Sequence, residues 1–165
     1  MNKREKEIFD HLNDKFPEAA LEWVQPECGD SFAWLAAEKL LEIVSYLKET
    51  WEFSFDYLVN LSALDAGEHL EVVYHLYSYR HKHRFNIRIK ASRENGEVLS
   101  LTSLYGAADF QEREVFDLFG LKFKGHPKMK RILLPDDWEG YPLLKDYQEK
   151  EDYQGIGTSR ENLLN

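Results

Sequence analysis

The clearest structural signal in this chain lies in residues 70–91, which read LEVVYHLYSYRHKHRFNIRIKA. In the second half of this stretch, Phe85, Ile87 and Ile89 alternate with charged or polar residues. Alternation with a period of two is typical of a β-strand that has one buried face and one face in water. The polar run at 81–83 lies between two such strands and predicts a hairpin loop, so the strands should be antiparallel.

The flanking segments extend this sheet. Residues 53–61 alternate apolar and mainly polar side chains, with Phe53, Phe55, Tyr57, Val59 and Leu61 on one face. Residues 98–101, Val-Leu-Ser-Leu, follow an Asn-Gly pair at 95–96, which is a strong turn signal. Residues 20–24 resemble a further short strand. We therefore predict a mostly antiparallel sheet of about four to five strands.

Three other segments carry apolar residues at helical spacing. The first covers residues 3–16, and the second has Asp30 or Ser31 as its N-cap. The third has Asp109 as N-cap, with a glutamate three residues later as in a capping box, and Gly120 as its stop. Strands and helices together predict an α+β fold with the helices packed on one face of the sheet.

Beyond residue 125 the chain has few periodic cues and many turn residues. We therefore divide it into an α+β core domain (1–125) and an extended, acidic C-terminal tail (126–165). From residue 136 onward there are eight acids and three bases. A tail of roughly 40 residues without regular structure is unusual inside a compact domain. We expect this tail to dock on a partner subunit.

Composition excludes several classes of protein. The net charge of −9 argues against nucleic acid as the main partner, although residues 75–93 contain six basic residues and no acid. Cys28 is the only cysteine, so the chain cannot supply the several thiolates of an iron–sulfur cluster. No apolar run approaches the roughly 20 residues of a membrane span, and the N-terminus opens with charged residues. These features predict a protein that is kept in the cytosol and carries no electrons itself.

A second distinctive stretch, residues 112–146, packs charged, aromatic and turn-forming residues into a fixed order. It opens with Glu-Arg-Glu-Val-Phe-Asp-Leu-Phe-Gly and passes through Gly-His-Pro and Asp-Asp-Trp-Glu-Gly-Tyr-Pro. The candidate site residues in it are Glu112, Arg113, Glu114, Asp117, His126, Lys130, Arg131, Trp138, Tyr141, Lys145 and Asp146.

These residues allow more than one function. The carboxylates on the helix resemble an acid–base pair, but such catalysis needs a pocket and shifted pKa values. We favour a charged network, including an Arg113–Asp117 pair four residues apart, that fixes the helix and meets a partner. His126 fits a structural turn better than a proton relay, and Trp138 is either an anchor in a neighbour's pocket or part of this domain's own core.

The histidines at 75, 81 and 83 have no cysteine or acid beside them, so we predict no metal site there.

The order of residues in 112–133 resembles the signature of one family: the 30 kDa subunit of respiratory complex I (NADH:quinone oxidoreductase, NDH-1). That signature is Glu-Arg-Glu, an acid three residues on and two apolar residues. After six more positions come a His or Lys, a basic residue and a closing apolar pair. These positions are filled here by Glu112, Arg113, Glu114, Asp117, Leu118, Phe119, His126, Lys130, Ile132 and Leu133.

The resemblance implies a structural and assembly subunit, without cofactor, in the peripheral arm of a proton-translocating enzyme of the respiratory chain. Electrons then pass from NADH through FMN and iron–sulfur clusters to quinone in the partner subunits. The implied partners are the large 49 kDa-type subunit and other peripheral-arm subunits, on the cytoplasmic side of the bacterial inner membrane. The resemblance implies membrane contact only through the complex, and no catalytic, cofactor or metal residue in this chain.

Two alternatives remain. The same kind of subunit occurs in membrane-bound energy-converting hydrogenases and formate-hydrogenlyase-type complexes. An alternative of another class is a free-standing soluble enzyme that uses Asp117 and His126, which predicts a closed pocket around those two side chains.

Overall fold

The computed structural model describes residues 3–150 and 152–157. Its centre is a five-stranded sheet with the strand order β1-β2-β5-β4-β3. The helices are α1 (Lys3–Lys15), α2 (Leu40–Glu49) and α3 (Ala108–Phe119), and a 3-10 turn (Ala37–Lys39) precedes α2. The strands are β1 (Ala20–Val24), β2 (Phe32–Leu35), β3 (Tyr57–Asp65), β4 (Leu70–Ser78), β5 (His83–Ala91), β6 (Glu97–Leu99), β7 (Lys122–Lys124), β8 (Asp152–Tyr153) and β9 (Ile156–Gly157).

The sheet is antiparallel except where β2 runs parallel to β5, with Ala33 opposite Ile87. β6 and β7 form a separate parallel pair, and β8 and β9 a short antiparallel pair within the tail. The predicted α+β class, the mostly antiparallel sheet and the hairpin between β4 and β5 are confirmed.

One face of the sheet forms the core. Phe85, Ile87 and Ile89 of β5 are fully buried, whereas Arg84 and Lys90 on either side of them are exposed. Buried residues of all three helices belong to the same apolar cluster as these strand residues. This burial confirms the expected division of the sheet into a packed face and a solvated face.

The second helix begins later than the sequence predicts. Residues 32–35 form β2, and α2 starts only at Leu40. Phe32 and Trp34 lie on the solvated face of the sheet, where the cations Arg88 and Lys90 cover their rings. A strand with apolar residues on both faces resembles the start of a buried helix in periodicity alone, which explains the error.

β3 also departs from the predicted phase. A β-bulge between Leu58 and Asn60 adds a residue and moves the alternation to the other face. Leu58 and Leu61, three residues apart, are therefore both buried. Tyr57 and Val59 are exposed, and because Tyr57 lies before the bulge, β3 already starts out of phase with the buried Phe55.

α3 has Ala107 as its N-cap, without a side-chain capping bond, so the predicted cap at Asp109 is wrong. The predicted stop at Gly120 is confirmed, because this residue has φ of 78° and ends the helix in the left-handed region. Within the described residues, none of the helices has the length and apolar character that crossing a membrane requires.

Candidate functional site

Asp117 is the centre of the candidate site. It lies fully buried in the last turn of α3. Its Oδ2 accepts hydrogen bonds from the backbone N–H groups of Ile132 (2.9 Å), Leu133 (2.7 Å) and Leu134 (3.0 Å). Its Oδ1 accepts one from Arg131 Nη1 at 2.7 Å. Burial alone would raise the pKa of this carboxyl, but the four hydrogen bonds outweigh it and the pKa is lowered.

Arg131 extends this contact along the tail. Its Nη2 donates to the carbonyl oxygens of Trp138 and Gly140, each at 3.2 Å. The guanidinium carbon also lies 5.5 Å from the ring centroid of Tyr141. One arginine therefore ties the Asp117 carboxylate to the turn formed by residues 138–141.

Arg113 binds the backbone of the same segment. It donates from Nε to the carbonyl of Lys130 (3.1 Å) and from Nη2 to that of Arg131 (3.2 Å). The predicted Arg113–Asp117 pair is wrong, because both side chains bind the tail. Glu114 and the side chain of Lys130 are exposed.

Glu112 forms hydrogen bonds inside the domain. It is fully buried and accepts hydrogen bonds from Ser100 Oγ and from the backbone N–H of Leu101, both at 2.7 Å. Burial raises the pKa of its carboxyl, although both hydrogen bonds act in the opposite direction. Glu112 therefore links α3 to the segment after β6.

His126 stabilises the start of the tail. Its buried ring places Nε2 at 3.2 Å from both the carbonyl oxygen and Oδ1 of Asp109. Nδ1 accepts a hydrogen bond from the backbone N–H of Lys128 at 3.0 Å, so the proton of the neutral ring is on Nε2. Asp109 and Asp117 are eight residues apart on α3, which corresponds to about 12 Å along the axis. His126 and Asp117 therefore sit at opposite ends of the helix and do not form an acid–base pair.

A second cluster holds the tail further along. Asp65, at the end of β3, accepts hydrogen bonds from the backbone N–H groups of Gly67 (2.8 Å) and Lys145 (2.9 Å). Arg93 Nη2 donates both to Asp65 (2.8 Å) and to Asp146 (2.7 Å). The pKa of Asp65 is lowered to about 2, mainly by the bond from the Lys145 amide.

Sequence reasoning missed Asp65 and Arg93. The Asp-Ala-Gly order at 65–67 is a cue for an Asx turn, but no local pattern links it to a tail residue 80 positions away.

The Tyr141 ring and the backbone of Leu143 contact the end of α3 between the two clusters. The Tyr141 ring lies against Gly120 so closely that a Cβ there would come within 2.5 Å of a ring carbon. The backbone N–H of Leu143 donates to the carbonyl of Leu118 at 3.1 Å. The tail from about residue 130 to 146 therefore follows the C-terminal half of α3.

Trp138 lies outside the domain core. Its ring is half-buried, 5.1 Å from the ring of Tyr153, whose hydroxyl donates to Asp137 at 2.8 Å. Leu133 and Leu143 are 60% and 50% exposed on the outer side of the same segment. Contact of Trp138 or of the tail with another protein stays a prediction.

The histidines near the hairpin bind carbonyl groups. His81 and His83 place Nε2 at 2.7 Å and 2.8 Å from the carbonyls of Trp51 and Phe53. In residues 3–150 and 152–157 we find no group of three or more His, Cys, Asp or Glu side chains arranged to hold a metal ion.

Comparison with known proteins assigns this geometry to a family. Residues 33–153 match the family described as "Respiratory-chain NADH dehydrogenase, 30 Kd subunit". The chain belongs to the 30 kDa subunit family of respiratory complex I. The corresponding NADH-quinone oxidoreductase subunit of Roseiflexus sp. (strain RS-1) is 37% identical over 142 residues, which cover 84% of this chain and 81% of that protein. The corresponding subunit of Chlorobium phaeobacteroides is 34% identical over 151 residues, covering 90% and 91%.

Solved structures agree with this assignment to the 30 kDa family. A trypsin-resistant fragment of Nqo5 superposes with a TM-score of 0.64 and 28% identity, covering 76% of this chain and 98% of the fragment. A chain of the membrane-bound sulfane sulfur reductase, an archaeal respiratory membrane complex, superposes with a TM-score of 0.73 and 26% identity, covering 88% and 86%. The family resemblance read from residues 112–133 is confirmed.

Proposed function

We propose that this chain is a structural and assembly subunit, with no cofactor and no catalytic residue of its own, in the peripheral arm of a proton-translocating NADH:quinone oxidoreductase. The FMN, the iron–sulfur clusters and the quinone belong to partner subunits. The peripheral arm lies on the cytoplasmic side of the bacterial inner membrane, and this chain contacts the membrane only through the complex.

One observation supports a structural role above all. The two buried acids of the signature helix, Glu112 and Asp117, are occupied by hydrogen bonds within the chain. A general acid or base must reach a substrate proton. A carboxylate that already accepts three backbone N–H groups and an arginine instead fixes the position of a segment.

The tail segment 130–146 carries the surface that we propose for the partner. Both clusters hold the backbone of residues 130–146 against the domain, and Leu133 and Leu143 point outward. Preorganised apolar side chains lose little conformational entropy on binding, so they favour a stable interface. We assign this surface to the large 49 kDa-type subunit.

Co-purification tests this proposal. A tagged chain expressed in its native host should bring down the large subunit and the membrane arm with NADH:quinone activity. Leu133→Asp and Leu143→Asp should each reduce the recovered large subunit at least tenfold, because a charge would be buried in the interface. Leu21→Asp is the matched control, since Leu21 is equally exposed on β1, outside the tail. A tagged wild-type chain that recovers no large subunit would contradict the proposal.

The likeness to the sulfane sulfur reductase chain supports a second candidate. This is the equivalent subunit of a membrane-bound energy-converting hydrogenase or formate-hydrogenlyase-type complex. The relatives at 34% and 37% identity over most of the chain, both NADH-quinone oxidoreductase subunits, favour complex I. Activity of the native assembly separates the two: NADH oxidation by quinone supports the first, and H2 evolution from reduced ferredoxin the second.

A further inference from the structure

The hairpin end of the sheet exposes a group of aromatic side chains. Trp51, Tyr57 and Tyr79 are 61%, 44% and 63% exposed. The ring of Tyr79 lies 5.5 Å from that of Tyr57 and 5.2 Å from that of Tyr77, edge to face in both cases. Large rings clustered on a surface mark interaction sites, since most of a protein's aromatic area is otherwise buried.

Two cations of the same loop lie near this group of rings. The guanidinium carbon of Arg80 is 3.4 Å from the ring centroid of Trp51, and Lys82 is exposed at the tip of the loop. No carboxylate in the described part of the chain forms an ion pair with either of them. We call Trp51, Tyr57, Tyr79, Arg80 and Lys82 the hairpin patch. Tryptophan, tyrosine and arginine are the residues most enriched among those that dominate binding energies at interfaces.

A groove of about 640 Å³ adjoins the hairpin patch. This volume is within the roughly 300–1,000 Å³ range of ligand clefts. Its lining residues are Arg4, Tyr77, His81, Lys82, His83 and Arg84, none of them acidic.

Two of the cations that line the groove already have acidic partners. Arg84 is paired with Glu5 and Asp30, and Arg4 with Glu7.

The remaining charged groups near the patch leave two cations for a ligand. Burial lowers the pKa of His83, which keeps its ring neutral. Glu52 and Asp56 are exposed beside the patch, and Asp56 accepts the backbone N–H of Tyr79. Among the described residues, Arg80 and Lys82 are therefore the cations near the groove that have no acidic partner, and Glu52 and Asp56 lie at the edge of the patch.

We propose that the hairpin patch docks a short acidic segment of a partner protein, one that also carries an aromatic or apolar side chain. Its carboxylates pair with Arg80 and Lys82, and its apolar side chain lies on the tyrosine rings. The net charge of −9 repels an extended polyanion such as a nucleic acid or an anionic membrane. A short segment escapes most of that repulsion, because charges beyond about 8 Å are screened at physiological salt.

This surface is separate from the tail. β3 begins at Tyr57 in the hairpin patch and ends at Asp65 in the second tail cluster. Eight strand steps span about 26 Å. The inference therefore does not rest on the proposed function, and its failure would leave the tail contacts untouched.

Titration of the purified full chain tests the docking surface. The probe is the peptide acetyl-Asp-Tyr-Glu-Phe-Asp-Glu-amide, and binding is followed by isothermal calorimetry. We expect saturable binding that weakens at least tenfold in the double variant Arg80→Glu/Lys82→Glu and in Tyr79→Ala. Lys122→Glu/Lys124→Glu is the matched control, since it makes the same charge change on exposed residues of β7.

Two further probes test whether the anionic partner is a membrane or a nucleic acid instead of a protein. Phosphatidylserine vesicles and a duplex DNA are titrated into the same proteins. Weak or no binding of both, beside binding of the peptide, supports a protein partner. The inference is overturned if the peptide does not bind, if the control double variant loses as much affinity as the patch variant, or if vesicles or DNA bind more tightly than the peptide.

Discussion

Asp117 shows how one buried carboxylate can position a whole segment. Moving an ionised carboxyl out of water is costly, and the cost is recovered only when its oxygens are fully hydrogen-bonded. Here three consecutive backbone N–H groups and one guanidinium converge on it. These donors belong to residues 131–134, so the free energy of the site depends on the tail being in place.

Replacing Asp117 should therefore release the tail. We expect Asp117→Ala to lower the free energy of unfolding by about 3–5 kcal/mol, since it leaves the largely buried Arg131 without its counter-charge. Urea denaturation measures the loss, and limited proteolysis should show faster cleavage near residues 130–146. Glu114→Gln, an exposed acid on the same helix, should stay within about 0.5 kcal/mol of the wild type. Equal effects of the two substitutions would rule out this role for Asp117.

The sequence identified these residues but not their partners. Glu112, Arg113 and Asp117 stand out by their order, yet residue spacing suggested contacts along the helix. Their actual partners lie 11 to 18 positions away, on segments that return to the helix from either side. Such contacts depend on tertiary packing, which local patterns do not encode.

At the scale of the element, the helix α3 packs against the rest of the protein on two faces. One side joins the apolar core through Val115 and Phe119. The other receives the tail, with Tyr141 covering the helix end at Gly120. Gly120 thus meets two demands at once: a left-handed φ of 78° and the close approach of a ring.

Gly120→Ala should accordingly destabilise the protein. The left-handed conformation costs a non-glycine residue about 1 kcal/mol, and the clash with Tyr141 adds to it, so we expect a loss of about 2–4 kcal/mol. Gly106→Ala is the matched control, because a Cβ there would meet no atom within 4 Å. In a Tyr141→Ala background the Gly120→Ala loss should shrink to the conformational part. An undiminished loss in that background would show that Tyr141 is not the obstacle.

Element boundaries were harder to predict than element types. The clean alternation in β5 and the glycine stop of α3 are local signals, and both predictions were correct. β2 was mistaken for the start of a helix. Val59 is exposed because β3 starts out of phase with Phe55, and the bulge after Leu58 then returns Leu61 to the buried face. A bulge depends on how two strands pair, so the sequence of one strand alone does not predict it.

At the scale of the whole molecule, the free energy of unfolding should depend on pH, because the carboxylates that hold the tail become protonated in acid. Asp65 has a folded-state pKa of about 2, below its ordinary value of 3.8, and the pKa of Asp117 is also lowered. Their ionised forms therefore favour the folded state, and that contribution is complete above about pH 4 and is lost as the pH falls toward 2. Glu112 acts in the opposite sense, because burial raises its pKa and folding favours its protonated form.

We expect Asp65→Asn to test this dependence. At pH 7 the variant should be about 1.5–3 kcal/mol less stable than the wild type, since it weakens charge-assisted bonds to Arg93 and to the Lys145 amide. As the pH falls from 4 toward 2, the wild-type Asp65 becomes protonated and loses the same advantage. The difference between the two proteins, measured by urea denaturation at pH 7, 5, 3 and 2, should therefore narrow on acidification. A difference that stays constant over this range would mean that the Asp65 side chain contributes shape and not charge.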